Sequence, residues 1–244
     1  ISSVEAARDV RYRAERLENG DVACVVYAFD FPGLFSLVCG LLAVSGFNIR
    51  SGTVHTYRYA AEKRSVRRRK QGRIHRIEQE VPKPRRIIDR FVGRLDAHDG
   101  FPSWQSRFSS MLVSAWDRLA TTPAGRIRGT GEARRYVYET VSTSLVERRI
   151  DPDPVLYPVH ITASEGPRGG TRLSVLTEDT PFFLFALGTA VALQDVTIHS
   201  VRIRTIGNRV EDEFVVYDIN GAPLTDPDRI DTIKLSVLLT KQFT

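Results

Sequence analysis

Only two of the 244 residues are cysteines, Cys24 and Cys39. Both sit in apolar segments and no CxxC occurs, which excludes a disulfide framework and leaves two reduced core thiols. Long apolar runs are also missing. The longest, Leu34 to Val44, is interrupted by Ser36, Cys39 and Gly40, well short of the roughly 20 residues that span a bilayer. Nothing at the start reads as a secretory signal, because Glu5, Arg8, Asp9 and Arg11 crowd together there. A cytoplasmic protein without a membrane partner is expected. The chain begins at Ile1 rather than Met, and its final helical pattern is still running at Thr244, so a piece of a longer polypeptide is expected.

Catalytic signatures are scarce. The five histidines (His55, His75, His98, His160 and His199) lack metal-ligand spacing, and His98-Asp99 stands alone. No nucleophile elbow, P-loop or dinucleotide fingerprint occurs; the glycines at 129–131 and 166–170 read as turns and linkers. Neither an enzyme nor a cofactor is expected from these residues.

What is present is an ordinary globular composition, 42% hydrophobic and 26% charged, with one local anomaly. Lys63, Arg64, Arg67, Arg68, Arg69, Lys70, Arg73 and Arg76 form a run with no acid among them. Removing those eight charges from the net +6 leaves −2, so the body is near neutral. With little aromatic interleaving beyond Tyr57 and Tyr59, the run reads as a solvated loop, or as an arm that pairs with acids elsewhere. Nucleic acid is not the expected partner.

The chain also repeats itself. Val22 to Tyr57 lies on Thr171 to Ile206 with a constant offset of 149 and no gap. Asp30 and Pro32 fall on Asp179 and Pro181, Ala43 on Ala192, Ile49 on Ile198, Ser51 on Ser200 and Thr56 on Thr205. Each copy reads as a strand, an Asp-x-Pro helix start, a helix with apolar residues at i, i+3, i+4 and i+7, and a second strand. Asp89-Arg90-Phe91-Val92 echoes Asp212-Glu213-Phe214-Val215 with an offset of 123. The first copy therefore carries about 26 extra residues before its third strand. Helices are expected from Ser103 to Ala120 and from Glu132 to Arg149, and an edge strand from Tyr157 to Thr162. Thr225-Asp226-Pro227 signals a last helix.

The order β-α-β-β-α with an Asp-x-Pro-Gly-Leu turn resembles the ACT domain family. TIHSVRIRTIGNRVEDEFVVYD in the second half, and FDFPGLFSLVCGLLAVSGFNI in the first, resemble the paired ACT domains of bacterial protein-PII uridylyltransferases/uridylyl-removing enzymes. Large NAD-dependent glutamate dehydrogenases carry ACT-like N-terminal regions too, and the wide repeat spacing and long insertion favour them, or an unfamiliar architecture, over the standard uridylyltransferase as the parent type. The resemblance implies an α+β fold of two ferredoxin-like (βαββαβ) sandwiches joined by a helical linker. The expected division is an N-terminal helical segment at 1–20, a first domain at 21–120 with a basic insertion at 58–86, a linker at 121–156, and a second domain at 157–244.

The resemblance further implies a small-molecule ligand, an amino acid with glutamine among the candidates, bound beside the first turn and the start of the second strand. Carried over, those positions are Asp30, Phe31, Pro32, Gly33, Leu34, Asn48 and Ile49 in the first copy. In the second they are Asp179, Thr180, Pro181, Thr197 and Ile198. It implies regulation of an attached or partner enzyme and homo-oligomers formed through the ACT units. Two alternatives stand beside this reading. Asp30 and Asp179 could serve only as helix caps, and the module could assemble without binding anything. Phe182 also stands where the family turn has Gly; a bulky residue there can block the backbone's approach to a ligand, which leaves a purely structural second copy open.

Overall fold

The computed structural model describes residues 10–57, 62–70, 73–81, 85–96, 100–121, 127–148 and 159–242. The expectations for His98-Asp99 and for the Pro-broken stretch before residue 159 lie outside them. The first half contains β1 (Arg11–Arg16), β2 (Val22–Phe29), α1 (Leu34–Val44), β3 (Phe47–Tyr57), β4 (Glu62–Lys70), β5 (Arg73–Val81), β6 (Arg86–Leu95) and α2 (Phe101–Trp116). A connecting region holds β7 (Ala120–Thr121), β8 (Ile127–Arg128) and α3 (Thr130–Glu147). The second half contains β9 (His160–Glu165), β10 (Thr171–Glu178), α4 (Phe183–Leu193), β11 (Val196–Ile206), β12 (Arg209–Asp218) and α5 (Pro227–Gln242).

Eight strands form one antiparallel sheet in the order β1-β2-β6-β3-β11-β12-β10-β9. The two halves are therefore one continuous layer. They join where β3 pairs with β11, Ser51 opposite Arg204, Thr53 opposite Arg202 and His55 opposite Ser200. Ser51 and Ser200 are equivalent in the repeat, as are His55 and Arg204, and Thr53 and Arg202. The ladder is thus unchanged when the halves are exchanged, which is a pseudo-two-fold axis running between Thr53 and Arg202. Even the irregularities match: β3 slips register against β6 between Ile49 and Ser51, and β11 against β12 between Ile198 and Ser200. A bulge re-aims the residues beside it, here the first few positions of each second strand.

Strand alternation separates the two faces. Val22, Cys24, Val26 and Ala28 of β2, Ile87 and Phe91 of β6 and Phe214 and Val216 of β12 are buried in one core with α1, α2 and α4. On the other side Arg13, Arg90, Thr53 and Arg202 are exposed, in one row set by the registers. Helices α1 and α4 pack against each other, α3 against α1 and α2, and α5 against α4. The approach of α1 and α4 needs small residues: a Cβ at Gly40 would meet Phe185 and Val137 at 2.8 Å, and one at Gly188 would meet Phe35 at 2.8 Å.

Three expectations are corrected. The segment expected to be helical over 1–20 contains β1. Its alternation half-buries Tyr12 and Ala14, and Tyr12 stacks edge-on against Phe108 at 5.1 Å and donates from its hydroxyl to the Gln105 carbonyl at 3.0 Å. Each half runs ββαββα rather than βαββαβ. The edge strands, β1 and β9, precede β2 and β10 instead of following the second helix. The basic insertion, expected as a loop, contains the hairpin β4–β5, in register from Glu62–Val81 to Lys70–Arg73; a two-residue connection is what such hairpins favour. Among the described residues no helix is long and apolar enough to cross a membrane.

Gly93 of β6 lies opposite Ile49, next to the β3 bulge. A methyl there would collide with the Asn48 carbonyl oxygen and the Phe47 ring. Gly93→Ala is therefore expected to destabilise the protein by about 1–3 kcal/mol, read as a lower urea midpoint with an unchanged slope.

Candidate functional site

Each repeat turns from its first strand into its first helix in the same way. The Asp30 N–H donates to the Arg85 carbonyl at 2.8 Å, and the Asp179 N–H donates to the Asn208 carbonyl at 2.8 Å. Leu34 N–H then closes on the Phe31 carbonyl, and Phe183 N–H on the Thr180 carbonyl. The helix N-caps are Gly33 (φ 88°) and Phe182 (φ 59°), neither with a side-chain cap bond. The N-cap positions thus belong to Gly33 and Phe182, three residues after Asp30 and Asp179. Phe182 keeps the left-handed conformation that its counterpart Gly33 adopts freely, a strained arrangement for a bulky side chain.

The pseudo-two-fold axis sets each turn against the start of the other repeat's second strand. Two clefts result. One is lined by Asp30, Phe31, Pro32, Gly33 and Leu34 together with Thr197 and Ile198. The other is lined by Asp179, Thr180 and Pro181 together with Asn48 and Ile49. All twelve positions singled out in the sequence thus line one cleft or the other, each cleft drawing on both halves. The remaining walls correspond as well: Val54, Ile87 and Ala192 in the first are matched by Ile203, Val210 and Ala43 in the second.

The clefts differ in size. The first encloses about 30 Å³ and the second about 270 Å³. In the first, Phe31 is buried and packs on Trp116 at 6.2 Å, and the Arg134 side chain lies against Gly33, with Cδ 2.9 Å from where a Cβ would stand. In the second, Phe31 is replaced by Thr180, and the compensating aromatic, Phe182, is buried in the cavity wall. Space therefore opens on the side that the Gly-to-Phe change had marked for blockage. The change at 182 has a partner at 180, and only the two together set the shape of the wall.

Sequence reasoning noted the third-strand echo but missed its chemistry. Asp89 and Asp212 are both 1% exposed. Asp212 Oδ1 accepts from the Arg204 backbone N–H at 3.1 Å, and Asp89 accepts from the backbone N–H of His55, the equivalent residue. Each lines the cleft of its own turn. Burial, then the neighbouring Asp30, pushes the Asp89 carboxyl well above the usual range. Burial, with a smaller push from Asp179, raises Asp212 to about 7. Burial likewise lifts the thiol of Cys24 to about 12 and that of Cys39 well above its usual value; both cysteines are free. At the rim of the open cleft, Arg148 donates to the Ala43 and Val44 carbonyls that end α1 and lies 3.5 Å from Asp96. Among the described residues no group of three or more His, Cys, Asp or Glu is arranged to hold a metal ion.

Fold and clefts together define a two-repeat αβ module with one open inter-repeat cavity. No protein-family model matches the chain. It is 25% identical over 216 residues to the bifunctional uridylyltransferase/uridylyl-removing enzyme of Bordetella pertussis, covering 88% of this chain and 20% of that protein. It is 25% identical over 221 residues to the enzyme of that name from Erythrobacter litoralis, covering 91% and 20%. A shorter match to the Photobacterium profundum enzyme of the same name reaches 38% over 56 residues, 23% of this chain and 6% of that protein. The chain spans about a fifth of the length of the relatives it matches along most of its own length.

The buried acids make stability depend on pH. The folded pKa of Asp212 lies above its unfolded value, so the folded chain holds that proton more tightly. Its contribution is fully present below the ordinary carboxylate range, is lost as pH rises toward about 7, and is flat above. Asp89 acts in the same direction. The melting temperature of the unliganded protein is expected to fall between about pH 4 and pH 7, and to fall less in Asp212→Asn, measured by calorimetry across that range.

Proposed function

We propose that this chain is an amino-acid-sensing regulatory module, two ACT-like units of ferredoxin type that control an attached or partner enzyme of nitrogen or amino-acid metabolism. The observation that carries the reading is the open cavity where the second repeat's turn meets the first repeat's second strand. Strand order β1-β2-β6-β3, with its image in the other half, supports the ferredoxin-type assignment, the fourth strand being drawn from ahead of the first. The relatives' name favours a uridylyltransferase/uridylyl-removing type of parent over a glutamate dehydrogenase. Catalysis would then lie outside these residues.

A zwitterion suits the cavity's chemistry. The backbone amides of Leu184 and Phe185 precede the first intrahelical bond of α4, from Ala186 N–H to the Phe182 carbonyl. Amides at a helix start favour a carboxylate. Asp179 on the same wall favours an ammonium through a charge-assisted bond. A volume of about 270 Å³, just under that of drug-sized sites, suits a compact metabolite. A ligand held there contacts both repeats at once. It therefore favours whichever packing of the halves closes the cavity around it, and that difference in affinity is the regulatory signal. The closed first cleft plays a structural part.

Thermal-shift scanning with the twenty amino acids tests the reading, with L-glutamine first. A specific ligand at a hundred times its Kd stabilises by about 2.7 kcal/mol, a rise of a few degrees. Thr180→Phe, which fills the open cleft as Phe31 fills its counterpart, is expected to abolish that rise while leaving the unliganded melting temperature nearly unchanged. Silence from all twenty would leave the assembly-only alternative in possession.

A further inference from the structure

The helix-free face of the sheet differs between the two halves. In the first half, register places Arg11, Tyr27, Ile88 and His55 in one row across β1, β2, β6 and β3. The next row is Phe29, Arg86 and Tyr57. Tyr27 is 41% exposed and Tyr57 47%, and the His55 and Tyr57 rings meet edge-on at 6.5 Å. The Arg86 guanidinium lies over the Phe29 ring, 4.8 Å from its centroid. Aromatic rings and guanidinium planes thus share one surface. The four strands contain two acids: Asp89 is buried, and Glu15 lies 3.6 Å from Arg13.

The fold does not require these aromatics. At the equivalent positions of the second half stand Leu176 for Tyr27, Ile206 for Tyr57 and Arg204 for His55, and Glu211 replaces Ile88. The strands there pair in the same order. The first half also carries the hairpin β4–β5, inserted beside this patch. Tyr57 and Arg86, the last register pair of β3 with β6, are each five positions from Glu62 and Val81, the first pair of the hairpin. Toward the hairpin's tip Arg67 pairs with Arg76, Arg68 with His75 and Lys70 with Arg73, with no acid among them. Its three acids, Glu62, Glu78 and Glu80, lie toward the base.

We infer that the first half is a platform for single-stranded nucleic acid: unpaired bases stack on Tyr27, His55 and Tyr57, and the hairpin's cations hold the backbone phosphates. Stacking on an aromatic ring tolerates any base, because every base has a π-face. Guanidinium groups beside the rings add cation–π attraction. The basic run has few aromatics of its own; the fold supplies them from β2 and β3. Those strands are two apart in the sheet, about 10 Å, so Tyr27 and Tyr57 hold separate bases. An acidic protein would satisfy the cations alone, whereas rings kept on one half only, next to the basic hairpin, favour bases. The platform faces away from the helices and clefts, so the inference stands independently of the amino-acid reading.

Fluorescence anisotropy on the whole chain tests it, with labelled probes of about 12 nucleotides at about 50 mM salt. Single-stranded RNA and DNA of one mixed sequence separate the two sources of this chemistry. An abasic strand, a duplex and poly-glutamate serve as comparisons. Expected is binding of at least one single strand, with the abasic strand and the duplex weaker by about fivefold to a hundredfold. Tyr27→Leu combined with Tyr57→Ile, which installs the second half's residues, is expected to weaken single-strand binding by a similar factor and to leave abasic binding unchanged. A hairpin variant with Arg67→Gln, Arg68→Gln, Arg69→Gln and Arg76→Gln is expected to flatten the slope of log K against log salt by about 3. Melting temperatures equal to that of the wild type show that both variants fold, and the abasic comparison needs no variant. Equal affinity for the abasic strand or the duplex, poly-glutamate bound as tightly as the single strands, full affinity in the folded tyrosine variant, or no binding of either single strand would overturn the inference.

Discussion

The ladder between β3 and β11 is the constraint on which the rest of the structure depends. Antiparallel pairing of two equivalent strands has a two-fold axis built into it, here between Thr53 and Arg202. Once that axis exists, two further contacts follow. Helices α1 and α4, which lie over the two central strands, must pack on each other, and Gly40 and Gly188 let them approach where larger residues would meet Phe185 and Phe35. The turn that opens each helix must also face the start of the other repeat's second strand. A cleft of mixed parentage is therefore a consequence of the pairing. The same pairing occupies β3 and β11 on both sides, so further copies of the chain could join the sheet only at its outer strands, β1 and β9.

A symmetric frame does not require symmetric contents. The two clefts are lined by corresponding positions, yet one is nearly ten times the volume of the other. The difference comes from a few exchanges. An aromatic at 31 in the first repeat is moved two places along, to 182, in the second. A glycine that an arginine covers at 33 becomes that aromatic. A cation at 85 becomes a neutral residue at 208. The core tolerates the aromatic shift because both rings are buried, at 5% and 7% exposure; only the direction in which they fill space changes. The larger backbone cost falls on the open side, where Phe182 holds a positive φ. Strain of this sort persists only where the surroundings over-determine it and gathers at functional positions.

Much of this was legible in the sequence, for a physical reason. Alternation and the 3.6-residue period reflect burial directly, so the strands and helices of both copies could be read, and the resemblance to ACT domains implied the twelve positions that line the clefts. The pairing of the halves was not legible, because β3 and β11 look like any other strands until their edges meet. The edge strand β1 escaped because its period of two lies among arginines, with only Tyr12 and Ala14 to betray an inward side. The buried acids left a fainter sign that could have been used. Asp89 has the same parity as Ile87 and Phe91, and Asp212 the same as Val210 and Phe214, so each is a carboxyl on the inward face of a strand. The inward position was readable, whereas the meeting of each buried acid with the acid of its own turn could be seen only in the folded chain.

That meeting bears on what it costs to keep an acid in such a place. A buried carboxyl with an unsatisfied oxygen opposes folding, and nothing in the apolar packing of α4 offsets it. The closed cleft shares this feature, since Asp89 Oδ1 also lacks a hydrogen-bond partner among the described residues. The open cleft exists only when both halves contribute their walls, since Asn48 and Ile49 come from one repeat and Asp179, Thr180 and Asp212 from the other. In that way the volume of one cleft is linked to the packing of the whole sheet.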